Sequence, residues 1–588
     1  MTDPDLPKLF EDPVFDDRAA DPAQPWTTTY RRVAHLGART GSAWPLLAGG
    51  PADRQRLRDL LELTAMADPA AFHVLFLHQC MATGAALDFG ADPEDVAALA
   101  SGRAVGAALM TEVGTGNSSA AVRTEAVYDP VAREFVLTTP DAAAAKYPPN
   151  VGMPGLPRLA VVGARLLVSG VDRGTCLFLV PLHDGDGASG VTVTPRPRTS
   201  LLPLDYAAVR FDGVRVPYRR WLADGASVSA SGEFHDPLGD PRLRTARSVG
   251  WARFAWGAVT AGLAAAARAA VAIALPHAGR RNTVDRWGVG AAALTRPNQQ
   301  RLLFGAAARA LAATEFARGL TDTAWRTAPG GGRGAGLPPR TMGRLALAKA
   351  AVDGLADEAV ARCRAACGAA GFFSENRLVD YQALTAAFHA AGGDNQLILL
   401  DAAWRMATGD DYTPPPAGAP AAAGASGAAA AAEPDWPLLL AARERALYAR
   451  LTSALAAAAA DGRDPSAAWH ERTGLAEEFA YAHQARVTVE AVAARWRRPG
   501  PSGGEGEQAV LPDLFRLLAV EAVLPHADWY AARGLLSGAA AEALDADLTA
   551  ACRRLLPHAE SVTGLMEVPA AVVRGPLGGR DYVRDLTS

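Results

Sequence analysis

Lysine, isoleucine and cysteine are scarce in this chain of 588 residues: it has three lysines (Lys8, Lys146, Lys349), two isoleucines and five cysteines. Arginine and alanine take their place, a bias expected of a GC-rich coding sequence that carries no information on fold. The cysteines (Cys80, Cys176, Cys363, Cys367, Cys552) are odd in number and follow no repeating framework. That excludes a disulfide scaffold and leads to an expectation of reduced thiols in a cytoplasmic protein. Cys363 and Cys367 lie four apart on an expected helix, but no Cys or His cluster at ligand spacing accompanies them, so no metal site is expected. A basic excess is also missing. Lys and Arg total 58 against 62 Asp and Glu, a formal net charge of −4, which offers no field to nucleic acid or to an anionic membrane. The acidic start, Met1 to Pro7, lacks the apolar run of a signal peptide. No run of 18 apolar residues is free of charge and proline, so no membrane span is expected. The final Asp585-Leu586-Thr587-Ser588 is not a peroxisomal address.

What is present is the texture of a soluble globular protein, with 49% hydrophobic and 20% charged residues, too long for one core and expected to form two to four domains. Residues 52–101 read as helical, with Leu57, Leu60, Leu61 and Leu63 at helical spacing. From about 106 to 225 come short β-rich runs such as Arg133–Leu137, Leu159–Val162, Cys176–Val180, Val191–Val193 and Ala208–Phe211. Gly, Pro or Asp bounds each, the pattern of a small antiparallel sheet. Helical texture returns at 247–278, 295–327 and 340–370. Residues 413–434 are almost all Pro, Ala, Gly and Ser, a linker composition. Amphipathic helix then resumes over 436–560, broken by a loose stretch at 499–507. The expected domains are 1–105 (helical), 106–232 (sheet), 233–411 (helical bundle), 412–435 (linker) and 436–588 (helical).

The segment Met110-Thr111-Glu112-Val113-Gly114-Thr115-Gly116-Asn117-Ser118-Ser119 lies where helices give way to sheet. Its glycines and small donors let backbone N–H groups approach a ligand. It is followed by Tyr128-Asp129-Pro130 and by Glu134–Pro140. Later come Lys146-Tyr147-Pro148-Pro149-Asn150, the strand Arg210–Pro217, Arg280-Arg281, Asn298-Gln299-Gln300, the turn Cys367–Gly371 and Gly393-Asp394-Asn395. In this order the motifs resemble those of the acyl-CoA oxidases within the acyl-CoA dehydrogenase superfamily. Asp528-Trp529-Tyr530, Gly534–Ser537 and Leu556–Glu560 fall where that family's oxidase branch carries an extra helical domain, so the resemblance spans nearly the whole chain.

The resemblance implies a mainly helical fold with a central β-barrel, an N-terminal helical domain, a flavin-contacting helical bundle and a C-terminal helical domain. It also implies bound FAD. Carried over by position, Thr111 bonds the flavin ring, and Gly116, Gly152 and Asn395 lie near the cofactor. Arg281 faces the FAD diphosphate of a partner subunit, and Gly368 and Gly371 let backbone approach the cofactor across the dimer. The family's proton-abstracting glutamate falls at Gly392. The base position that some relatives use on an earlier helix reads Trp251-Ala252-Arg253. Neither holds a carboxylate. His389 is the possible substitute, with a packed or capping histidine as its alternative role, and Asp394 matches a structural position. Tyr147-Pro148 replaces a tryptophan pair. The implied function is FAD-dependent oxidation of an acyl thioester, carried by CoA or a carrier protein, in the specialised metabolism of a divergent bacterial member with altered base chemistry. A flavin-dependent monooxygenase and a silent subunit of a heteromeric oxidase or dehydrogenase are the alternatives. The partners implied are a second copy of the chain, or an active homologue in a heteromer.

Overall fold

Prolines and aspartates start the first helices. Helix Pro51–Ala67 ends at Asp68, whose carboxylate accepts the amides of Ala70 and Ala71 (2.9 and 3.0 Å) and so begins helix Pro69–Phe76. Asp68 also binds Arg32 at 2.7 Å, tying in helix Pro25–Thr40. In the computed structural model the described residues are 5–16, 25–40, 46–182, 190–196, 202–326, 337–409, 412–416, 434–497, 505–579 and 581–587. Most of the expected linker 412–435, and the part of the loose stretch before Glu505, lie outside them. Helix Glu505–Val523 begins within that stretch.

The strands of the central sheet region are β1 Val105–Leu109, β2 Glu125–Asp129, β3 Glu134–Thr138, β4 Arg158–Val168, β5 Val171–Pro181, β6 Val191–Pro195, β7 Ala207–Phe211, β8 Val214–Pro217 and β9 Trp221–Leu222. One curled sheet runs β8-β3-β2-β4-β5-β9 with β1 also on β4, and β6 pairs with β7. The sheet is mixed rather than antiparallel as expected, because β1 and β2 both run parallel to β4. β4 is buried almost throughout, as strands in parallel pairings commonly are. Its side chains alternate between two cores with the period of two that a strand imposes. Ala160, Val162 and Ala164 join Phe135, Phe178 and Trp221 inside the curl. Leu159 and Val161 face Phe89, Leu99 and Trp251 of the helices. With 65% helix and this curled sheet, the fold class is the one expected.

Packing divides the chain into two compact units, residues 1–262 with 320–345, and residues 263–319 with 346–588. The second holds helix Leu378–Ala390, helix Asn395–Thr408 and the C-terminal helices Trp436–Ala460, Thr473–Arg497, Glu505–Val523 and Gly538–Leu555. Among the described residues two stretches are long and apolar enough to cross a membrane by length and mean hydropathy, Pro69–Asp88 and Pro241–Arg280, at 1.3 and 1.8. Their apolar windows are 83% and 94% buried, the state of core helices. Alanine-rich sequence lifts the average of the second stretch even where Arg268 and Pro276 interrupt the run.

Candidate active site

In the first unit the Thr111 loop leaves the end of β1 and is held by a side chain that the motif comparison passed over. The fully buried Glu112 carboxylate accepts four bonds: the amides of Arg123 and Thr124 (both 2.9 Å), the Thr124 hydroxyl (2.8 Å) and the Lys146 ammonium (2.9 Å). Burial alone would push the Glu112 carboxyl up, but Lys146 and the backbone donors outweigh it and hold it below its ordinary value. Burial also pushes Lys146 down, to about 8, against the pull of Glu112. Lys146 reaches the Met110 carbonyl as well (3.3 Å), and the Tyr147 amide donates to the Thr111 carbonyl (3.0 Å). With its backbone clamped on both sides, Thr111 is exposed, and beyond it Gly116 is exposed with open space, among the described residues, where a Cβ would stand. Gly152 is different. A Cβ there would stand 2.8 Å from the Asp205 carbonyl oxygen, so the chain's own close approach accounts for that glycine.

The earlier-helix base position holds no available carboxylate. Arg253 is buried, bonds the Ala324 carbonyl (3.0 Å) and lies 3.3 Å from Asp88, which also binds Arg247 at 2.8 Å.

In the second unit, Arg281 and the Gly368 turn come together. The Arg281 guanidinium donates to the Ala366 carbonyl (2.9 Å) and would stand 3.4 Å from a Cβ at Gly368. Gly368 has φ +63°, a left-handed conformation that suits glycine. At Gly371 a Cβ would meet the Arg364 carbonyl at 2.5 Å. Cys363 and Cys367 beneath this turn are buried free thiols, and burial pushes Cys367 up to about 12.

The third cluster surrounds Gly392. Helix Leu378–Ala390 ends at His389 and Ala390, and Asp394 starts the next helix by accepting the amides of Gln396 (3.0 Å) and Leu397 (3.2 Å). Between them Gly392 has φ +69° and open space at its Cβ position. Lys349, fully buried, spends its three donors on this turn: the Phe388 carbonyl, the Gly393 carbonyl (2.9 Å) and the Asn395 amide oxygen (2.8 Å). The Asn395 amide nitrogen then reaches the buried Asp353 (2.6 Å) and His389 Nδ1 (3.0 Å). His389 is 47% exposed, with Nδ1 3.2 Å from Asp353 and Nε2 3.6 Å from Asp357. The Thr385 hydroxyl holds Asp357 at 2.6 Å. Burial lowers Lys349 to about 8 against Asp353 and Asp394, and raises Asp353 against Lys349 and His389. The motif comparison found His389, Gly392 and Asn395 but missed Lys349, Asp353 and Asp357. Their spacing of four on one helix, in a chain with three lysines, was the available signal.

None of the protein-family models matches the chain. Mouse peroxisomal acyl-coenzyme A oxidase 1 is 26% identical over 304 residues, 51% of this chain and 45% of that protein. Human peroxisomal acyl-coenzyme A oxidase 3 is 28% identical over 291 residues, 46% of this chain and 41% of that protein. Among solved structures, acyl-CoA oxidase 1 of Yarrowia lipolytica superposes with a TM-score of 0.79 at 19% identity, covering 99% of this chain and 89% of that one. Caenorhabditis elegans acyl-CoA oxidase-1, solved with FAD and ATP, also gives 0.79, at 21% identity over 98% of this chain and 87% of that one. The chain is similar to acyl-CoA oxidases in sequence over about half of its length, and it has their fold over nearly all of it. Its sequence matches span less than half the length of these curated superfamily members, while the fold match is nearly complete. The mouse and human members are named as peroxisomal, as are matches from rabbit and Arabidopsis thaliana. Those names overturn the expectation of a cytoplasmic protein. The scattered cysteines on which that expectation rested do not choose among reducing compartments.

Proposed function

We propose that the chain is an FAD-dependent oxidoreductase that oxidises an acyl thioester, borne by CoA or a carrier protein, and passes the electrons to oxygen. The observation that carries this reading is the clamped Thr111 loop, whose backbone is fixed by Glu112 and Lys146 while Thr111 and Gly116 stay exposed. The residues fit the cofactor, because Arg281 beside the side-chain-free Gly368 offers a planar cation for diphosphate oxygens. By position Thr111 and Gly116 would contact it, and Gly368 and Gly371 would let backbone approach it. When bound, FAD supplies the hydride acceptor. Exposed Val284, Trp287 and Val289 after Arg281, and Phe372 and Phe373 after Gly371, support a homodimer in which each Arg281 serves the partner's cofactor.

Purified protein should be yellow and release about one FAD per chain on denaturation, and an acyl-CoA panel should bleach the flavin anaerobically. Colourless protein that takes up no added FAD overturns the reading. Gly392 in the base position favours a second one, a silent subunit. That reading is recognised by bound FAD that no thioester reduces until a glutamate-bearing homologue is added.

A further inference from the structure

We propose that residues 575–587 form a strap that positions the two halves of the FAD diphosphate site, with Asn376 and Arg280 as the positioning residues through which it acts. The inference rests on the FAD-dependent reading above, since the two halves are Arg281 and the Gly368–Gly371 turn. Arg281 reaches the start of the turn directly, at the Ala366 carbonyl (2.9 Å). Leu577, fully buried and 201 residues beyond Asn376, joins the halves a second time.

The second connection is a closed run of hydrogen bonds. The buried Asn376 side chain donates from Nδ2 to the Ala370 carbonyl inside the turn (3.0 Å) and accepts the Leu577 amide at Oδ1 (3.0 Å). A carbonyl only accepts and a backbone N–H only donates, so both partners fix the same orientation of the side chain. The Leu577 carbonyl accepts from Arg280 Nη2 (2.9 Å), and Arg280 adjoins Arg281 at the end of helix Ala252–Arg280. Both backbone groups of Leu577 are therefore used, one on each half of the site. Two further contacts seat the segment. A Cβ at Gly575 would stand 2.2 Å from the Glu375 carbonyl oxygen, so backbone lies against backbone there and glycine is required. Tyr582 and the buried His277 meet in a T-shaped pair with 4.6 Å between ring centroids, and the His277 carbonyl accepts the Arg281 amide (2.8 Å).

The turn is thus pinned on both sides, Ala366 to Arg281 and Ala370 to Asn376, while Gly368 between them keeps its left-handed conformation. If the docked strap holds the site in the form that takes FAD, FAD must favour the docked strap by the same factor, because coupling between two equilibria is reciprocal. A purely structural strap docks equally well with and without the cofactor. The Leu577 amide reports which holds, since it exchanges its hydrogen with water when its bond to Asn376 opens.

The test follows hydrogen exchange of the full-length chain by mass spectrometry, with and without FAD, in peptides spanning Gly575–Gly579. Fluorescence titration with FAD accompanies it, in wild type, Tyr582→Ala and Asn376→Leu. Tyr582 lies outside the turn and its loss changes no charge at neutral pH, so Tyr582→Ala loosens the strap without touching Arg281 or the turn. In wild type FAD should slow exchange of the Leu577 amide about 5- to 150-fold, the usual range for coupled sites. Tyr582→Ala should speed that exchange and weaken FAD binding. Asn376→Leu should weaken FAD binding further and abolish the protection that FAD gives. A Leu577 amide indifferent to FAD, or wild-type FAD affinity in a loosened Tyr582→Ala, overturns the strap and leaves the parent reading standing. Wild type that binds no FAD overturns the parent reading, and the strap with it. If Asn376→Leu does not fold, the half-buried Tyr582→Ala still decides.

Discussion

Lys349 and Asn395 meet through a 2.8 Å bond from ammonium to amide oxygen, and that contact joins the end of helix Leu378–Ala390 to the start of helix Asn395–Thr408. Lys349→Met removes all three bonds of the ammonium, leaving the Phe388 and Gly393 carbonyls and the Asn395 amide oxygen without it. Leaving a buried acceptor unsatisfied costs about 1–3 kcal/mol, so the melting temperature should fall by several degrees. A change of less than a degree in differential scanning fluorimetry would show that the turn does not depend on Lys349.

Alkaline pH should stabilise the protein up to a point. Folding lowers Lys146 and Lys349 from 10.5 to about 8, chiefly by burial. The unfolded chain therefore binds these protons more tightly. The penalty is full below about pH 8 and fades as pH rises toward 10.5. Each lysine contributes on the order of 3 kcal/mol to this effect. Urea midpoints from pH 7.5 to 10 should rise in wild type and rise less steeply in Lys349→Met; parallel curves would contradict the assignment.

Acid acts through Glu444 in the C-terminal helices. Burial would push its carboxyl up, but His483 (2.9 Å), Arg486 and Tyr412 donate to it and hold it at about 2. A depressed carboxyl contributes stability above its unfolded value of 4.5 that is lost as pH falls toward 2, on the order of 3 kcal/mol. Glu444→Gln should be less stable at pH 7 and flatten the acid limb followed by circular dichroism between pH 4.5 and 2. An unchanged limb would assign acid unfolding to other groups.

Gly392→Glu tests the altered base position from the other side. The site has room, but its φ of +69° makes any L side chain strained, at a cost of about 1–2 kcal/mol. The variant should fold with a melting temperature a few degrees lower and reduce its flavin faster with generic acyl-CoA. The gain should be partial, because the strained backbone governs where the carboxylate points. A thermally neutral variant would mean that the turn relaxes.

Arg281→Ala removes the bond to the Ala366 carbonyl and the cation beside Gly368. FAD retention should weaken by about 1.5–3 kcal/mol, the range for a charge-assisted hydrogen bond, read as 10- to 100-fold by fluorescence titration of apoprotein with FAD. Unchanged affinity would remove Arg281 from the cofactor site.

The fold was legible because alternating and helical periodicities are local, and glycine, proline and aspartate mark their ends. The parallel pairing of β1 and β2 with β4 was not, since the partner of a strand is chosen by contacts far along the chain. The same division runs through the site. Thr111, Arg281 and Gly392 could be located by motif. Glu112 stood inside the Thr111 motif without revealing its role, because its four donors come from residues 123, 124 and 146. Asp353 lies 36 residues before His389, on a helix whose charged stripe of Lys349, Asp353 and Asp357 looks in sequence like any solvated face. Only the packing of helix Leu378–Ala390 turns that stripe inward.

The poverty in lysine has a practical consequence. Lys8 is exposed, whereas Lys146 and Lys349 are sealed, one in each compact unit. An amine-acylating reagent would tag Lys8 at once and reach each of the others only in molecules whose surrounding unit has opened. Every other tryptic cut falls at arginine, so the two tagged peptides would separate cleanly by mass. The rates at which they appear would time the breathing of the two halves independently, with no label introduced and no residue changed.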